Sequence, residues 1–454
     1  MVTKSKNINA TSDSIIPLII AFVIPLVLTT LLQQLFNAVD IAVLGNMADS
    51  TAVASVGATG TIIHLIIDTF VGISGGAKIV LSRLFGKNDE QELKRTIDTC
   101  LIVALGFGIL TAIGGFFIAP LFLDLTNCPQ ECIEDATLYM RIYIMSAPAI
   151  LLYNYGAAVL TSSGDSRRPL YYAIASGFSN VVLNILLCLI LSKKVVAVAI
   201  ATAAAQILAA TLVILRLRRL EGNLKIHFTK MRFHFLAFIQ LMRFGIPLAL
   251  QRLAYPLANI QIVAAINSYG VICVAGNSAA STMHNLTASF QTAFGTAVST
   301  FVGQNLGAKN PTRVRASLLH NTWMCLVICL PISFLEWLLG PLWLRLFLGQ
   351  DVAAIEFAMI RIGIINTYII FALMNNLLGS AIQAFGYPVS STINAVTWVL
   401  GFRFFWMLVI YPHYTSYASL ITCFGLSWLL TFVCNILIFY VIYRRYRKGK
   451  YKRI

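Results

Sequence analysis

The sequence predicts an all-α polytopic membrane protein with twelve transmembrane helices in two six-helix lobes. Three observations predict this fold: 58% of the 454 residues are hydrophobic and only 11% are charged, the charge alternates between successive connections, and the two halves repeat each other. Because a soluble domain carries about 25% charged residues, the composition argues against an ordinary cytosolic enzyme. The first apolar run, 15–36, is too long for a cleaved signal peptide.

Twelve apolar segments define the helices, since each is long enough to cross a bilayer at about 20 residues. Together they leave too little chain for a sizeable domain outside the membrane. The predicted spans are 15–36, 52–81, 97–120, 136–160, 170–191, 196–215, 241–266, 277–302, 317–340, 355–381, 389–411 and 417–442.

The connections between these spans explain the net charge of +16. One side of the membrane receives nearly all of their basic residues, and the other side receives only Lys193, Lys194 and Arg345. This asymmetry predicts that both termini are cytoplasmic and that the number of spans is even. The basic tail is therefore interpreted as a lipid-facing segment and not as a nucleic-acid site.

The nine cysteines indicate little, because seven lie in apolar runs, where cysteine behaves as a small hydrophobic residue. Cys128 and Cys132 lie in a connection on the non-cytoplasmic side. A disulfide, a metal site and unpaired thiols all stay open for them.

The two halves of the chain contain an internal repeat. Short motifs in the first half recur 220 to 222 residues later, at the same place relative to the predicted spans. The matched pairs are Pro25 with Pro247, Leu84-Phe-Gly-Lys-Asn88 with Leu306-Gly-Ala-Lys-Asn310, Met140-Arg-Ile with Ile360-Arg-Ile, and Gly164 with Gly386. Six spans per repeat give both halves one orientation, related by a pseudo-two-fold axis along the membrane normal, as in transporters. The predicted lobes are 1–215 and 241–454, joined by a basic cytoplasmic linker, 216–240.

Span 1 carries a polar stripe that ends in a carboxylate. Thr30, Gln33, Asn37 and Asp40 are spaced by three, four and three residues, which places them on one face of a helix. A carboxylate inside a membrane is expensive, so this face is expected to line the protein interior. Desolvation favours the neutral form of a carboxylic acid, so an acid there is suited to exchanging a proton. The alternative is a structural hydrogen bond at the helix end.

Several motifs together resemble the multidrug and toxic compound extrusion (MATE) family. The resemblance covers essentially the whole chain and implies an antiporter that exchanges a cation for a substrate. Its motifs are Gln33-Gln34-Leu-Phe-Asn37-Ala-Val-Asp40, Ala54-Ser-Val-Gly57, Gly164-Asp165-Ser-Arg-Arg-Pro169, Gly303-Gln-Asn-Leu-Gly-Ala-Lys309 and Gly386-Tyr-Pro388.

The resemblance implies a cation-coupling site at Asp40, Asn180, Asn184 and Thr202. In the sodium-binding branch of the family, an aspartate stands where this chain has Asn184. Losing that charge weakens a sodium site, which favours protons, although sodium at the same residues stays open. Hydrogen bonding between helices is the alternative role of the two asparagines. No other metal or cofactor is predicted.

Further candidates for the substrate cavity are Gln33, Gln34, Asn37, His64, Asp68, Tyr153, Gln251 and Arg403. His64 and Asp68 are an i,i+4 pair that either relays a proton or is a structural pair. The charged residues Asp98, Glu336 and Glu356 lie near span ends and are expected to reach the interface. Arg141 and Arg361 occupy matched repeat positions and are interpreted as structural, while the roles of Lys78 and Arg403 stay open.

The second half has no acidic residue between Glu221 and Glu336, so the sequence favours coupling through the first lobe, as in the DinF-like branch of the family. The predicted function is a proton-coupled antiporter, not an enzyme, acting as a monomer in a prokaryotic plasma membrane. It would export amphipathic, cationic drugs or metabolites by alternating access. A lipid-linked oligosaccharide flippase of related fold and an intramembrane enzyme are the alternatives.

Overall fold

The computed structural model describes residues 14–47, 50–125, 130–220 and 225–449, and these are helical with short connections. Contacts divide them into two compact units, one from Ile24 to Ala249 and one comprising residues 14–23 and 250–449. The boundary in the first helix lies just before Pro25, which cannot donate a backbone hydrogen bond. The lobe boundaries at 215 and 241 stay predictions.

The first unit contains most of the first helix and the next six. Its helices are α1 (Ile15–Met47), α2 (Ser50–Lys87), α3 (Glu90–Leu125), α4 (Gln130–Met145), α5 (Ala147–Ser162), α6 (Arg167–Ile190), α7 (Lys194–Arg218) and the first part of α8 (Phe235–Ser268). Residues 216–240 include the end of α7, the 3-10 turn Phe228–Lys230 and the start of α8.

The second unit contains the rest of α8 and the helices that follow. They are α9 (Val271–Gly307), α10 (Pro311–Leu338), α11 (Gly340–Leu348), α12 (Val352–Ala384), α13 (Pro388–Ala395), α14 (Phe402–Phe405) and α15 (Tyr417–Arg447). Helices α13 and α14 belong to one continuous helical segment, Pro388–His413, in which π-helical turns precede and follow α14.

The lengths of these helices agree with twelve spans. Within the described residues, nine helices are long and apolar enough to cross a membrane, and the bent pair α4 and α5 makes ten. The remaining two, α8 and α9, have 34 and 37 residues but contain more polar side chains. Several of those side chains hydrogen-bond within the second unit, which explains how polar helices fit this fold.

The fourth predicted span is bent, not straight. It consists of α4 and α5, whose axes differ by 44° at a break between Met145 and Ala147. Pro148 lies in the first turn of α5, where a proline is tolerated but would disrupt a continuous helix. The predicted segment 136–160 is therefore two helices.

The repeat appears in the local backbone. Helices α2, α3, α6 and α7 begin at residues 50, 90, 167 and 194, and α9, α10, α13 and α15 begin at 271, 311, 388 and 417. Gly164 and Gly386 both have a positive φ, +94° and +89°, after the helices that precede them. The two halves thus share helix starts and a turn conformation that favours glycine.

Small residues bring α2 and α8 together within the first unit. A Cβ added to Gly76 would lie 2.4 Å from the backbone nitrogen of Gly245, and one added to Gly72 would lie 2.6 Å from the Cα of Ala249. The two helices therefore touch backbone to backbone, as small residues four apart allow. This confirms the packing role predicted for Gly72 and Gly76.

Candidate functional site

The polar stripe of α1 lines a cavity in the first unit. Gln33, Asn37 and Asp40 border this space, which has a volume of about 100 Å³. Gln34 is exposed and is not one of its lining residues. The spacing of the stripe therefore predicted the lining residues of α1 correctly, apart from Gln34.

A chain of hydrogen bonds joins Asp40 to α6 and α7. The Asn184 side-chain amide donates to Asp40 Oδ1 at 2.5 Å and to Asn180 Oδ1 at 3.4 Å. The Asn180 amide donates to Thr202 Oγ1 at 3.3 Å. The four residues of the predicted coupling site thus lie together, with both asparagines buried.

The cavity beside this chain is small. It would hold only a few water molecules, since each occupies about 30 Å³ in the liquid, whereas pockets for drug-sized ligands measure about 300–1,000 Å³. Its size suits a coupling ion and water better than a whole drug molecule. The lining residues are Gln33, Phe36, Asn37, Asp40, Tyr153, Ala173, Ser176, Gly177, Asn180, Thr202, Ala205, Gln206 and Ala209.

Gly177 allows α1 and α6 to approach each other at this cavity. A Cβ at Gly177 would lie 1.9 Å from Cε2 of Phe36, so any larger residue would displace that ring. Phe36 therefore packs directly on the backbone of α6, one turn before Asn180. Of the other aromatic candidates for a cavity, Tyr153 lines the same space, while Phe178 is exposed.

Hydrogen-bond donors, not cations, surround the carboxylate of Asp40. Among the described side chains, no lysine, arginine or histidine nitrogen lies within 4 Å of it. The Asn184 amide directs its NH₂ group toward two oxygens of the cluster, while its own Oδ1 has no partner in the described part of the chain. An acid in such surroundings can be neutralised by a proton.

Four polar residues near the site were missed by the sequence reasoning. Ser176 and Gln206 line the cavity. They stand one helical turn from Asn180 and Thr202, so an i,i+4 extension of those polar faces would have found them. Tyr139 and Tyr143 of α4 stack on each other and lie near enough to Asp40 to be affected by its charge.

The other candidates in the first unit do not join this cluster. Asp68 is exposed on α2 and is not a lining residue of the Asp40 cavity. The side chain of His64 and residue Cys128 lie outside the described residues. Cys132 is buried, with Sγ 3.7 Å from the carbonyl oxygen of Thr51. Within the described residues, no three His, Cys, Asp or Glu side chains form a metal-binding group.

Gln251 and Arg403 take part in hydrogen bonds of the second unit. Gln251 Oε1 accepts from the Gln383 amide at 3.0 Å. Arg403 is only 2% exposed. Its Nη1 donates to Asn259 Oδ1 at 2.6 Å, and its Nε donates to Ser427 Oγ at 3.1 Å. Both belong to networks separate from the Asp40 cluster.

The structure corrects the expectation for two acidic residues. Asp98 and Glu336 were expected to reach the membrane interface, but they are only 5% and 8% exposed. Glu336 is held inside by a hydrogen bond from Thr287 Oγ1 at 2.8 Å, a contact between helices that the position of Glu336 near a span end does not reveal. Glu356 is exposed, as expected.

The matched arginines of the repeat make similar contacts. Arg141 donates to the carbonyl oxygen of Phe116 at 3.1 Å, and its guanidinium lies 4.8 Å from the centre of that ring. Arg361 donates to Asn277 Oδ1 at 2.8 Å and lies 5.5 Å from the Phe424 ring. These contacts agree with the structural roles predicted for both.

A multi-span helical fold with an internal repeat and a buried acid beside a cavity defines a class, the polytopic membrane transporters. The family model described as MatE matches residues 25–190 and 247–409, so most of the chain is covered. The two matched segments begin 222 residues apart, as the sequence repeat does. This chain belongs to the MATE family, whose members are multidrug efflux transporters and not enzymes.

Curated relatives and solved structures agree with this assignment. Probable multidrug resistance protein YpnP of Bacillus subtilis (strain 168) is 24% identical over 397 residues, which cover 87% of this chain and 88% of that protein. The FAD transporter of Shewanella oneidensis is 26% identical over 364 residues, covering 75% and 76%. A crystal structure of MATE in the bent conformation aligns with a TM-score of 0.87 at 19% identity and covers 98% of both chains. This last likeness confirms the predicted fold.

Proposed function

We propose that this secondary transporter exports amphipathic, cationic compounds in exchange for protons that bind at Asp40. The observation that carries the proposal is the carboxylate of Asp40, which borders a cavity, accepts a hydrogen bond from Asn184 and has no basic partner within 4 Å among the described side chains. The transporter acts as a monomer in a prokaryotic plasma membrane, with both termini in the cytoplasm.

Asn184 suits both protonation states of Asp40. A charged carboxylate accepts the NH₂ hydrogen bond that the structure shows. A protonated carboxyl group is itself a donor, and Asn184 Oδ1 has no other partner in the described chain. Rotation of the amide would present this oxygen to the protonated acid. Proton binding would thereby reverse one hydrogen bond between α1 and α6 and change how the two helices pack.

The hydrogen bonds of the cluster favour a proton over a sodium ion. A hard cation needs several oxygen ligands that are free to bind it. Here the Asn184 NH₂ group already donates to Asp40 Oδ1 and Asn180 Oδ1, and Asn180 donates to Thr202 Oγ1. Only one carboxylate is present in the group. A proton needs only that carboxylate.

One proton supplies enough energy for export. A charge that crosses a potential of 100 mV releases about 2.3 kcal/mol, which supports roughly a fifty-fold gradient of a neutral substrate. Exchange of a monovalent cation for one proton is electroneutral and would use the pH gradient instead. Varying the potential and the pH gradient separately would therefore distinguish the stoichiometries.

The test uses purified protein in liposomes with an imposed pH gradient and a panel of cationic dyes. We expect dyes to accelerate collapse of the gradient with the wild type and with Asp68→Asn, but not with Asp40→Asn. Asp68→Asn is the matched control because it removes an exposed carboxylate that does not border the cavity. Dye movement driven only by sodium would refute proton coupling, and equal activity of both variants would refute the role of Asp40.

A second candidate substrate is an anionic, flavin-like compound. Two observations favour it: a curated relative is named an FAD transporter, and the second unit buries Arg361 and Arg403 with neutral hydrogen-bond partners. Guanidinium groups bind phosphate and carboxylate oxygens well. FAD tested in the same liposomes would decide: collapse of the gradient by FAD and not by dyes would replace the cationic substrate with this one.

A further inference from the structure

Glu336 of α10 lies in a buried polar cluster of the second unit. Its Oε1 accepts a hydrogen bond from Thr287 Oγ1 at 2.8 Å, and Thr287 is completely buried. Ser333, one turn earlier, lies with its Oγ 3.4 Å from the same Thr287 oxygen. No lysine, arginine or histidine nitrogen of the described chain lies within 4 Å of the Glu336 carboxylate. The acid is therefore held by neutral donors, without an ion pair.

A small cavity joins this acid to a histidine. The space measures about 10 Å³, which suits a single water molecule, and its polar lining consists of His284, Glu336, Arg361 and Asn366. The Nδ1 atom of His284 is buried and has no hydrogen-bond partner within the described residues. The imidazole ring stacks on Trp428, with the ring centres 6.5 Å apart. An acid and a proton acceptor thus border the same water-sized space.

The charges around Glu336 come from three neighbouring helices. Helix α9 contributes His284, and α12 contributes Arg361, whose Nη1 donates to Asn277 Oδ1 at 2.8 Å. Helix α11 contributes no charge to the cavity, because its one charged residue, Arg345, is exposed. Asn366 is neutral and donates to the carbonyl oxygen of Ser333 at 2.6 Å. A charged Glu336 would thus be compensated by Arg361 only across the cavity, and a proton would compensate it directly.

We propose that Glu336 and His284 form a second proton-binding site, in the second unit and separate from Asp40. The bound proton resides on a Glu336 carboxyl oxygen, while Oε1 continues to accept from Thr287. A water molecule in the cavity accepts the hydrogen bond of the carboxyl group and donates to His284 Nδ1. When the proton leaves to solvent, Glu336 becomes a carboxylate that Arg361 compensates from across the cavity. No other bond forms or breaks.

Infrared spectroscopy of the purified full-length protein tests the site directly, because a protonated carboxyl group has its own carbonyl band. We expect wild-type spectra to show, at acidic pH, a band that disappears at alkaline pH and is lost in Glu336→Gln. Glu356→Gln, the same change at an exposed glutamate of α12, should retain the band. Asp40→Asn should also retain it, so the result does not depend on the function proposed for Asp40.

Identical wild-type and Glu336→Gln spectra at every pH would overturn the proposal, because Glu336 would then keep one protonation state. His284→Phe should shift the frequency of the Glu336 band, since the acid loses its water-mediated partner, and an unshifted band would refute the role of His284. Should Glu336→Gln fail to fold, a hydrophobic carbodiimide, which modifies protonated carboxyl groups, can be applied to the wild type. Mass spectrometry should then find Glu336 modified, and an unmodified Glu336 in a sample modified at Asp40 would refute the site.

Discussion

The four residues of the Asp40 cluster have counterparts 222 residues later in the chain, and all four counterparts are apolar. They are Ile262, Phe402, Trp406 and Phe424. Ile262 and Phe424 belong to one hydrophobic cluster of the second unit, against which Trp406 packs. The same helix starts and the same glycine turn therefore support a polar site in one unit and an apolar core in the other.

The second unit places its charges differently. Arg361 and Arg403 lie on the ring of Phe424, the counterpart of Thr202, with distances of 5.5 and 4.4 Å to the ring centre. Their hydrogen-bond partners are neutral, as are those of Asp40, but the sign of the charge is opposite. The comparison teaches that the repeat conserves the backbone, while each unit carries its own chemistry.

The largest expected effect comes from removing the guanidinium of Arg403. Arg403→Leu leaves Asn259 Oδ1 and Ser427 Oγ without their donor, and a buried polar group left without a partner costs about 1–3 kcal/mol. We expect the thermal unfolding midpoint in detergent to fall markedly, and Arg403→Lys to recover only part of the loss, since an ammonium group cannot reproduce the planar fork.

Arg345→Leu is the control for this change, because Arg345 is exposed on α11 and should leave the midpoint unchanged. If Arg403→Leu unfolds at the wild-type temperature, Arg403 does not stabilise the second unit. The buried charge would then have to be explained by ligand binding alone.

The second prediction introduces another carboxylate into the first unit. We expect Asn184→Asp to make transport respond to sodium, with at least about a tenfold gain in apparent sodium affinity. A second carboxylate about 4 Å from a bound ion adds on the order of 4 kcal/mol of attraction at an effective dielectric constant near 20, before desolvation is subtracted. About 1.4 kcal/mol of net gain already corresponds to tenfold.

Sodium dependence of dye transport in liposomes measures this gain. The double variant Asp40→Asn/Asn184→Asp is the matched control, because it carries one carboxylate in the cluster, as the wild type does. Sodium stimulation of the double variant would show that the number of carboxylates is not what selects the ion.

Local sequence patterns predicted much of this fold because they depend on neighbouring residues only. The spacing of Gln33, Asn37 and Asp40 identified the lining face of α1, and Gly164 and Gly386 identified a repeated turn. The patterns failed where the structure depends on distant partners. Burial of Glu336 depends on Thr287, 49 residues earlier in the chain, and no period in α10 indicates it.

The glycine turns test whether the repeated backbone has the same energetic role in both units. We expect Gly164→Ala and Gly386→Ala each to lower stability by about 1–2 kcal/mol, because a Cβ is unfavourable at a φ near +90°. The two thermal midpoints in detergent should fall by similar amounts. Gly114→Ala in α3, where an added Cβ meets no atom within 4 Å, should not destabilise the protein. A large difference between Gly164 and Gly386 would show that the units tolerate strain differently.

The smallest expected effect concerns Thr202, at the far end of the hydrogen-bond chain from Asp40. Its Oγ1 accepts from the Asn180 amide at 3.3 Å and donates to the carbonyl oxygen of Val198 at 2.9 Å. Thr202→Val keeps the shape but removes the acceptor, at a cost of about 1 kcal/mol, so we expect dye-driven collapse of a pH gradient to slow by roughly fivefold. Thr202→Ser should restore the rate. Thr211→Val removes the same kind of bond to the backbone from an exposed threonine of α7 and should have no effect. If the Thr202 and Thr211 variants behave alike, the acceptor at Thr202 does not contribute to coupling, and the functional site ends at Asn180.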